Sequence, residues 1–205
     1  MGTAKAFWNW TAERYSRQSI SDEASYQKKL SMTQKHLTPD SRVVEFGCGT
    51  GSTAVIHAPL VKSYHAIDVA ENMIELARTK STKAGLSNIQ FTVGTLEEAN
   101  LPDASSDVVL ALNILHLVPD LDGTLATVAR VLEPGARFFS SSVCLKELKG
   151  PLKRLALVAR VLPFLPSVGS ISVSDLTSKI EAAGFTIEES FEQAPGVVFL
   201  VAVKK

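Results

Sequence analysis

The chain has 205 residues, 45% hydrophobic and 20% charged, which is enough apolar content for a sizeable core and rules out general disorder. Its 21 Lys+Arg offset 21 Asp+Glu, so the basic excess of a general polyanion binder is missing and nucleic acid is not an expected partner. Two cysteines far apart, Cys48 and Cys144, make neither a disulfide framework nor a structural zinc site, and no metal is expected.

Residues 1–25 are polar and aromatic, without the apolar core of a secretory signal. The spacing then predicts a helix over 22–37 and a strand over Arg42–Phe46 that runs into glycines. A helix over 52–60 and a strand over 63–69 follow. Apolar Met73, Ile74, Leu76 and Ala77 predict a helix over Glu71–Lys83, stopped by Gly85. Strands are expected over Ile89–Val93 and 106–113, a helix over 121–132 closed by Glu133-Pro134-Gly135, and a strand over 136–143. Residues 145–174 interrupt the alternation with a basic, proline-broken apolar segment. A helix over 174–183 is expected next, capped by Ser174 or Asp175 and stopped at Gly184. Strands over 185–191 and Val197–Lys204, joined by Pro195-Gly196, should be antiparallel neighbours. The β-α alternation predicts an α/β fold, a mostly parallel, doubly wound sheet with helices on both faces.

The most informative stretch is Val43-Val-Glu-Phe-Gly-Cys-Gly-Thr-Gly51. Gly47, Gly49 and Gly51 alternate between a strand and a helix, so backbone approaches a ligand where a Cβ would collide, at a helix N-terminus. The spacing departs from the Gly-x-Gly-x-x-Gly of a dinucleotide site, which counts against a nicotinamide-dependent reductase. Glu45 precedes the first glycine by two positions; expected to point into the cleft, it would suit a ligand bearing an ammonium rather than a pyrophosphate. Asp68, about twenty residues beyond the loop, ends the second strand and can accept both hydroxyls of a ribose. Nucleoside plus amino acid describes S-adenosylmethionine.

These residues resemble the class I S-adenosylmethionine-dependent methyltransferases of the small-molecule type, over about residues 10–143. Glu45-Phe-Gly-Cys-Gly-Thr-Gly51 is similar to that family's first motif, with the Cys48 backbone touching cofactor. Ala66-Ile-Asp-Val-Ala-Glu-Asn-Met-Ile74 resembles the second-strand motif, which implies Asp68 on the ribose, Met73 beside the adenine and Val69 among the cofactor contacts. Gly94-Thr-Leu-Glu97 falls where the family usually places Gly-Asp-Ala-Glu. Thr95 therefore replaces an aspartate that bonds the adenine amino group; its hydroxyl is expected to accept that bond more weakly, and with Leu96, whose N–H is expected on the ring, it should flank the adenine. Leu112-Asn-Ile-Leu-His-Leu-Val118 and Leu132-Glu-Pro-Gly-Ala136 complete the match. The resemblance implies a Rossmann-like sheet of seven strands with an antiparallel last strand. It also implies that Tyr15, before the first helix, covers the cofactor, and that the insertion after the fifth strand forms part of an acceptor lid.

One domain over 1–205 is expected: an N-terminal helical lid (1–38), a cofactor-binding core (39–143), an acceptor-side lid (144–174) and a C-terminal helix with hairpin (175–205). Past the fourth strand, Asn113 is expected to offer its carbonyl to the amino-acid end of the cofactor. His116 is expected to line the acceptor site, orienting or deprotonating a hydroxyl or thiol. His36, His57 and His65 read as packing or surface residues. The Leu152, Leu155, Leu157 and Phe164 neighbourhood suggests a lipophilic or aromatic acceptor, a small molecule. Two other readings stand beside this one: a non-catalytic cofactor-binding regulator, and a lipid or quinone-precursor methyltransferase at a membrane surface through the basic apolar stretch 146–168. That stretch is too short and too charged to span a bilayer, so the chain is expected in the cytoplasm.

Overall fold

The computed structural model describes residues 2–148 and 169–205. Two helices, α1 (Gly2–Ser16) and α2 (Glu23–Gln34), precede the sheet. The chain continues through β1 (Arg42–Phe46), α3 (Ser52–His57), β2 (Ser63–Asp68), α4 (Glu71–Lys83) and β3 (Ile89–Val93). Then come β4 (Ser106–Leu112), α5 (Leu121–Val131), β5 (Leu132–Val143), α6 (Val173–Ala182), β6 (Phe185–Ala194) and β7 (Val197–Lys204).

Seven strands form one sheet in the order β3-β2-β1-β4-β5-β7-β6. Pairs among β1 to β5 are parallel; β7 runs antiparallel to both β5 and β6, as the Pro195-Gly196 turn requires. Strands buried on both faces read as near-continuous apolar runs. In β1, the period of two sends Val44 and Phe46 to a core shared with Val128 of α5 and Ile180 of α6. Val43 goes to the opposite face, with Tyr64, Met32 of α2 and Ala54 of α3. From β1 the chain moves to β2 and β3 on one side and to β4 and β5 on the other. The carboxyl ends of β1 and β4 therefore diverge around a crevice, the usual ligand position in such sheets.

Four boundaries differ from the sequence reading. The helix after the glycines ends at His57 and tightens into a 3₁₀ turn, Ala58–Leu60, because Pro59 has no N–H to continue the ladder. Glu133-Pro134-Gly135 is the irregular start of β5, whose register against β4 shifts between Ser106 and Val108. The cap of α6 is Ser172: its hydroxyl accepts the Asp175 N–H at 2.9 Å while Asp175 accepts the Ser172 N–H, a reciprocal box. β6 runs on to Ala194, with bulges absorbing the extra length.

The start of the expected acceptor lid is packed: Leu145 and Leu148 are buried, and Lys146 pairs with Asp175 at 2.6 Å. Residues 149–168, the middle of that lid and most of the expected membrane contact, lie outside the described residues. Among the described residues no helix is long and apolar enough to cross a membrane.

Candidate functional site

Gly47, Gly49 and Gly51 all sit at positive φ (+66°, +53° and +71°), where an L side chain is strained. Their surroundings differ. A Cβ on Gly47 would lie 2.6 Å from Ile114, and one on Gly51 would lie 2.7 Å from Ala77 of α4. These two glycines let the loop close against protein. A Cβ on Gly49 would meet nothing within 4 Å, so it would project into open space above the loop. Gly49 is the point where backbone is bared to a ligand.

Asp68 locks this loop. One carboxylate oxygen accepts the Gly49 N–H at 2.9 Å and the other accepts the Ala70 N–H at 2.9 Å. Only 8% of the residue is exposed, and burial raises its pKa against the two N–H bonds that lower it. Each oxygen has a lone pair left beyond these bonds, the number the two hydroxyls of a ribose need.

The crevice is a cleft of about 870 Å³ lined from both halves of the sheet. Of the expected site residues, Tyr15, Gly47, Gly49, Asp68, Val69, Met73, Thr95, Leu96 and Asn113 line it. Cys48 and Gly51 do not; Cys48 is buried, its N–H bonded to the Ile67 carbonyl and its thiol pKa pushed up by burial. Glu45 is also off the cleft, contrary to expectation. Strand alternation sends its neighbour Phe46 there instead. Glu45 is 2% exposed beneath the loop, where it accepts the Tyr64 hydroxyl at 2.9 Å. Burial pushes its pKa up to about 8, with the Asp68 charge adding to the rise and the Tyr64 bond opposing it.

Thr95 is less free than the sequence suggests. Its hydroxyl accepts the Glu98 N–H and its own N–H is held by the Glu98 carboxylate, a capping box across Thr-Leu-Glu-Glu98. His116 is turned away from the main cleft, in the 3₁₀ turn Leu115–Leu117. Its Nδ1 faces the Val143 N–H at 3.4 Å, and it borders a second groove of about 550 Å³ with Lys146, Ile171 and Asp175. Burial lowers its pKa to about 4, so the ring is neutral at pH 7. Asn113 has φ +59° just past β4, and its side-chain carbonyl accepts the Ser141 hydroxyl at 3.0 Å. Its Oδ1 is therefore engaged by Ser141, with a second lone pair left.

Several lining residues escaped the sequence reading. Thr3, Ala4 and Trp8 reach the cleft because α1 lies along α4, tied by Lys5–Glu71 at 2.8 Å and by Asn9 to the Asn72 N–H at 2.9 Å. Tyr15 lies within α1 rather than before a first helix; its ring meets Trp8 edge-on at 6.1 Å. Asp120, Gly123 and Thr124 come from the start of α5, where Asp120 caps the Gly123 N–H at 3.0 Å. The Asp-x-x-Gly spacing was the available signal.

The charge of the lining decides what can bind. Asp68, Glu97, Glu98 and Asp120 line the cleft, and no Lys or Arg does among the described residues. A pyrophosphate would meet four carboxylates there; a sulfonium or ammonium would be attracted. Among the described residues no cluster of three His, Cys, Asp or Glu is placed to hold a metal ion.

A family model described as a methyltransferase domain matches residues 37–183. The chain belongs to the methyltransferase-domain family. The class I assignment carried by the glycine loop and Asp68 stands with it, and S-adenosylmethionine is the cofactor. Two curated relatives are the uncharacterized methyltransferase YcgJ of Bacillus subtilis, 32% identical over 48% of this chain and 39% of its own, and the aklanonic acid methyltransferase DauC of a Streptomyces strain, 36% identical over 61% and 53%. The chain thus spans about half or less of the length of these relatives. The structure of an S-adenosylmethionine dependent methyltransferase from Mesorhizobium loti shares the fold at TM-score 0.74, with 19% identity over 89% of this chain and 99% of that one.

Proposed function

We propose that the protein transfers the methyl group of S-adenosylmethionine to a small lipophilic or aromatic acceptor held at the carboxyl ends of β1 and β4. The observation that carries this reading is the cleft itself: a bared glycine backbone at Gly49 beside the ribose-competent Asp68, with four carboxylates and no cation among its described lining residues. The residues fit the cofactor. Asp68 takes the ribose hydroxyls, Val69 and Met73 flank the adenine on one side and Leu96 on the other, and the Gly47–Gly49 backbone follows the amino-acid chain. Glu45 and Tyr64 brace the loop from beneath rather than meeting the ammonium directly. Phe46, Leu112, Leu117 and Val118 give the acceptor half an apolar wall. The aklanonic acid relative supports a small-molecule acceptor.

When bound, the cofactor supplies a methyl group already activated by a positive sulfur. The protein's task is alignment, an entropy effect of up to ~7–11 kcal/mol, together with exclusion of water. Tyr15 and Trp8 on α1 cover the cleft mouth and serve the second purpose. In this reading His116, which borders the second groove and not this cleft, takes no part in proton transfer.

Calorimetric titration with S-adenosylhomocysteine, with NAD as control, tests this. Micromolar binding of the first and none of the second is expected; binding of NAD alone would overturn the reading.

A further inference from the structure

Asn113 is joined to Asp22, 91 positions earlier in the chain, by a run of side chains in which the direction of every hydrogen bond is fixed. Asp22 caps α2 with one carboxylate oxygen and with the other accepts Gln193 Nε2 at 3.0 Å. A carboxylate only accepts, so Gln193 must turn its Oε1 the other way, and there it accepts Lys29 Nζ at 3.0 Å. Burial works against the Lys29 charge and Asp22 works for it. An ammonium only donates, so Ser141 Oγ, 3.4 Å from the same Nζ, is an acceptor from that side. The hydroxyl proton of the buried Ser141 then goes to Asn113 Oδ1 at 3.0 Å. Flipping the Asn113 amide would place two donors on Ser141 Oγ and leave its hydroxyl proton unpaired in the interior, which is the costlier arrangement. The Asn113 backbone is pinned by the same strand, its N–H bonding the Ser141 carbonyl at 2.8 Å.

The outcome is a side chain of set polarity. Asn113 lines the cleft and is exposed; with Oδ1 engaged by Ser141, its Nδ2 is the group left to donate, and it has no partner among the described residues. We propose that Lys29 and Ser141 are positioning residues that fix Asn113 as a hydrogen-bond donor to the methyl acceptor, and that this donor selects an oxygen acceptor, a phenol or carboxyl group, over an amine. This rests on the reading of the cleft as a methyltransferase site and deepens it.

The chemistry follows from lone pairs. An amine nitrogen has one pair; if it accepts from Nδ2, nothing is left to attack a methyl group. A phenolic oxygen has a pair for each task, and the donor favours its deprotonated form. The oxygen forms the new C–O bond as the methyl–sulfur bond breaks. The bonding pair stays on sulfur, which becomes a neutral thioether, and the hydroxyl proton leaves to water.

Two experiments test this on the full chain. The Asn113 side-chain amide signal, assigned by its loss in Asn113→Ser, is followed by ¹⁵N NMR with a soluble paramagnetic chelate. Strong bleaching is expected in the parent protein, and weaker bleaching in Lys29→Met and Ser141→Ala, where the amide samples both orientations. Protection in the parent protein overturns the proposal. Methyl transfer is then compared between a naphthol and the naphthylamine of the same shape. The naphthol should lead by about tenfold or more in kcat/KM, the worth of one well-placed hydrogen bond. Lys29→Met should erase most of that lead while S-adenosylhomocysteine affinity stays within about threefold, and Lys29→Arg, which keeps a donor-only group, should restore it. Preference for the amine overturns the proposal; if neither probe turns over, the amide signal decides. Failure of S-adenosylhomocysteine to bind would count against the proposed function without altering what the amide signal says about the relay.

Discussion

The two halves of the cleft are built by different means. On the β1–β2 side the working parts are the bared loop backbone at Gly49 and one carboxylate, supplied by a short run of chain from Gly47 to Asp68. On the β4–β5 side they are side chains from four distant elements, with Lys29 and Ser141 separated by 112 positions and Asn113 and Ser141 by 28. Backbone can hold any ligand with the right outline, so it suits the invariant partner of a reaction. Side-chain networks specify polarity one atom at a time, so they suit the partner that differs between enzymes of one fold. The first half breaks through sterics and the second through chemistry, and substitutions should separate them.

The largest effect is expected where loop and helix touch. Gly51→Val places a branched side chain at φ +71° with its Cβ 2.7 Å from Ala77. Left-handed backbone strain plus overpacking should cost about 4 kcal/mol, a fall in Tm of roughly 10 °C by calorimetry. Gly49→Ala sharpens the contrast. Its Cβ meets nothing within 4 Å, so Tm should fall by only a few degrees while affinity for S-adenosylhomocysteine drops about tenfold or more. Equal loss of stability in both would mean that the loop does not divide into packed and ligand-facing positions.

Asp68→Ala comes next. It removes the acceptor of the Gly49 and Ala70 N–H groups as well as the ribose contact, so S-adenosylhomocysteine affinity should fall about 100-fold. Asp68→Asn retains one acceptor and should lose less. Unchanged affinity in the alanine variant would remove Asp68 from the cofactor site.

How much of this was legible in the sequence follows the same division. The glycines and Asp68 lie within one βαβ unit, so spacing placed them; Met73, in the same unit, came only with the resemblance. The alternation of β1 was equally available, yet Glu45 was placed in the cleft from its position before the glycines and its fit to an ammonium; the strand period gives the cleft to Phe46. The resemblance implied a helical lid over 1–38 with Tyr15 on the cofactor, but the course of α1 along α4 could not be read from periodicity. Only Ala12 of that helix is fully buried, so its polar and apolar residues carry no clear face, and its contacts with α4 are between single residues far apart in sequence. The relay to Asn113 is further still from local pattern, since every one of its links joins different elements.

Glu45 offers a test of pH. Its folded pKa is raised to about 8 from a reference near 4.5. The folded state therefore holds its proton where the unfolded chain has released it; this stability is fully present below about pH 4.5 and is lost as pH rises toward 8. His57 and His116 act on the other side: both are lowered to about 4, so stability is lost as pH falls from about 6.5. Glu45→Gln keeps an oxygen for Tyr64 and has no charge to bury. It should hold its Tm between pH 6 and 9 where the parent protein declines, a difference on the order of 2 kcal/mol, and leave the acid limb unchanged. A parallel decline in both proteins would mean that Glu45 is ionised in the folded state.

The smallest effect should come from the roof. Tyr15 lines the cleft but is 48% exposed, meets Trp8 only edge-on, and its hydroxyl stays protonated because burial and the Asp68 charge raise its pKa. Tyr15→Ala should weaken S-adenosylhomocysteine about fivefold, near 1 kcal/mol, by opening the mouth of the cleft to water. Trp10 is on the same helix, 80% exposed and not part of the lining, so Trp10→Ala should leave affinity unchanged. The pair decides whether α1 acts through one ring over the ligand or as a whole helix. If both variants lose affinity alike, the helix itself is being loosened from α4. In that case the roof belongs with the backbone half of the cleft, as a packing device, and a variant that cuts Lys5–Glu71 should show the same loss.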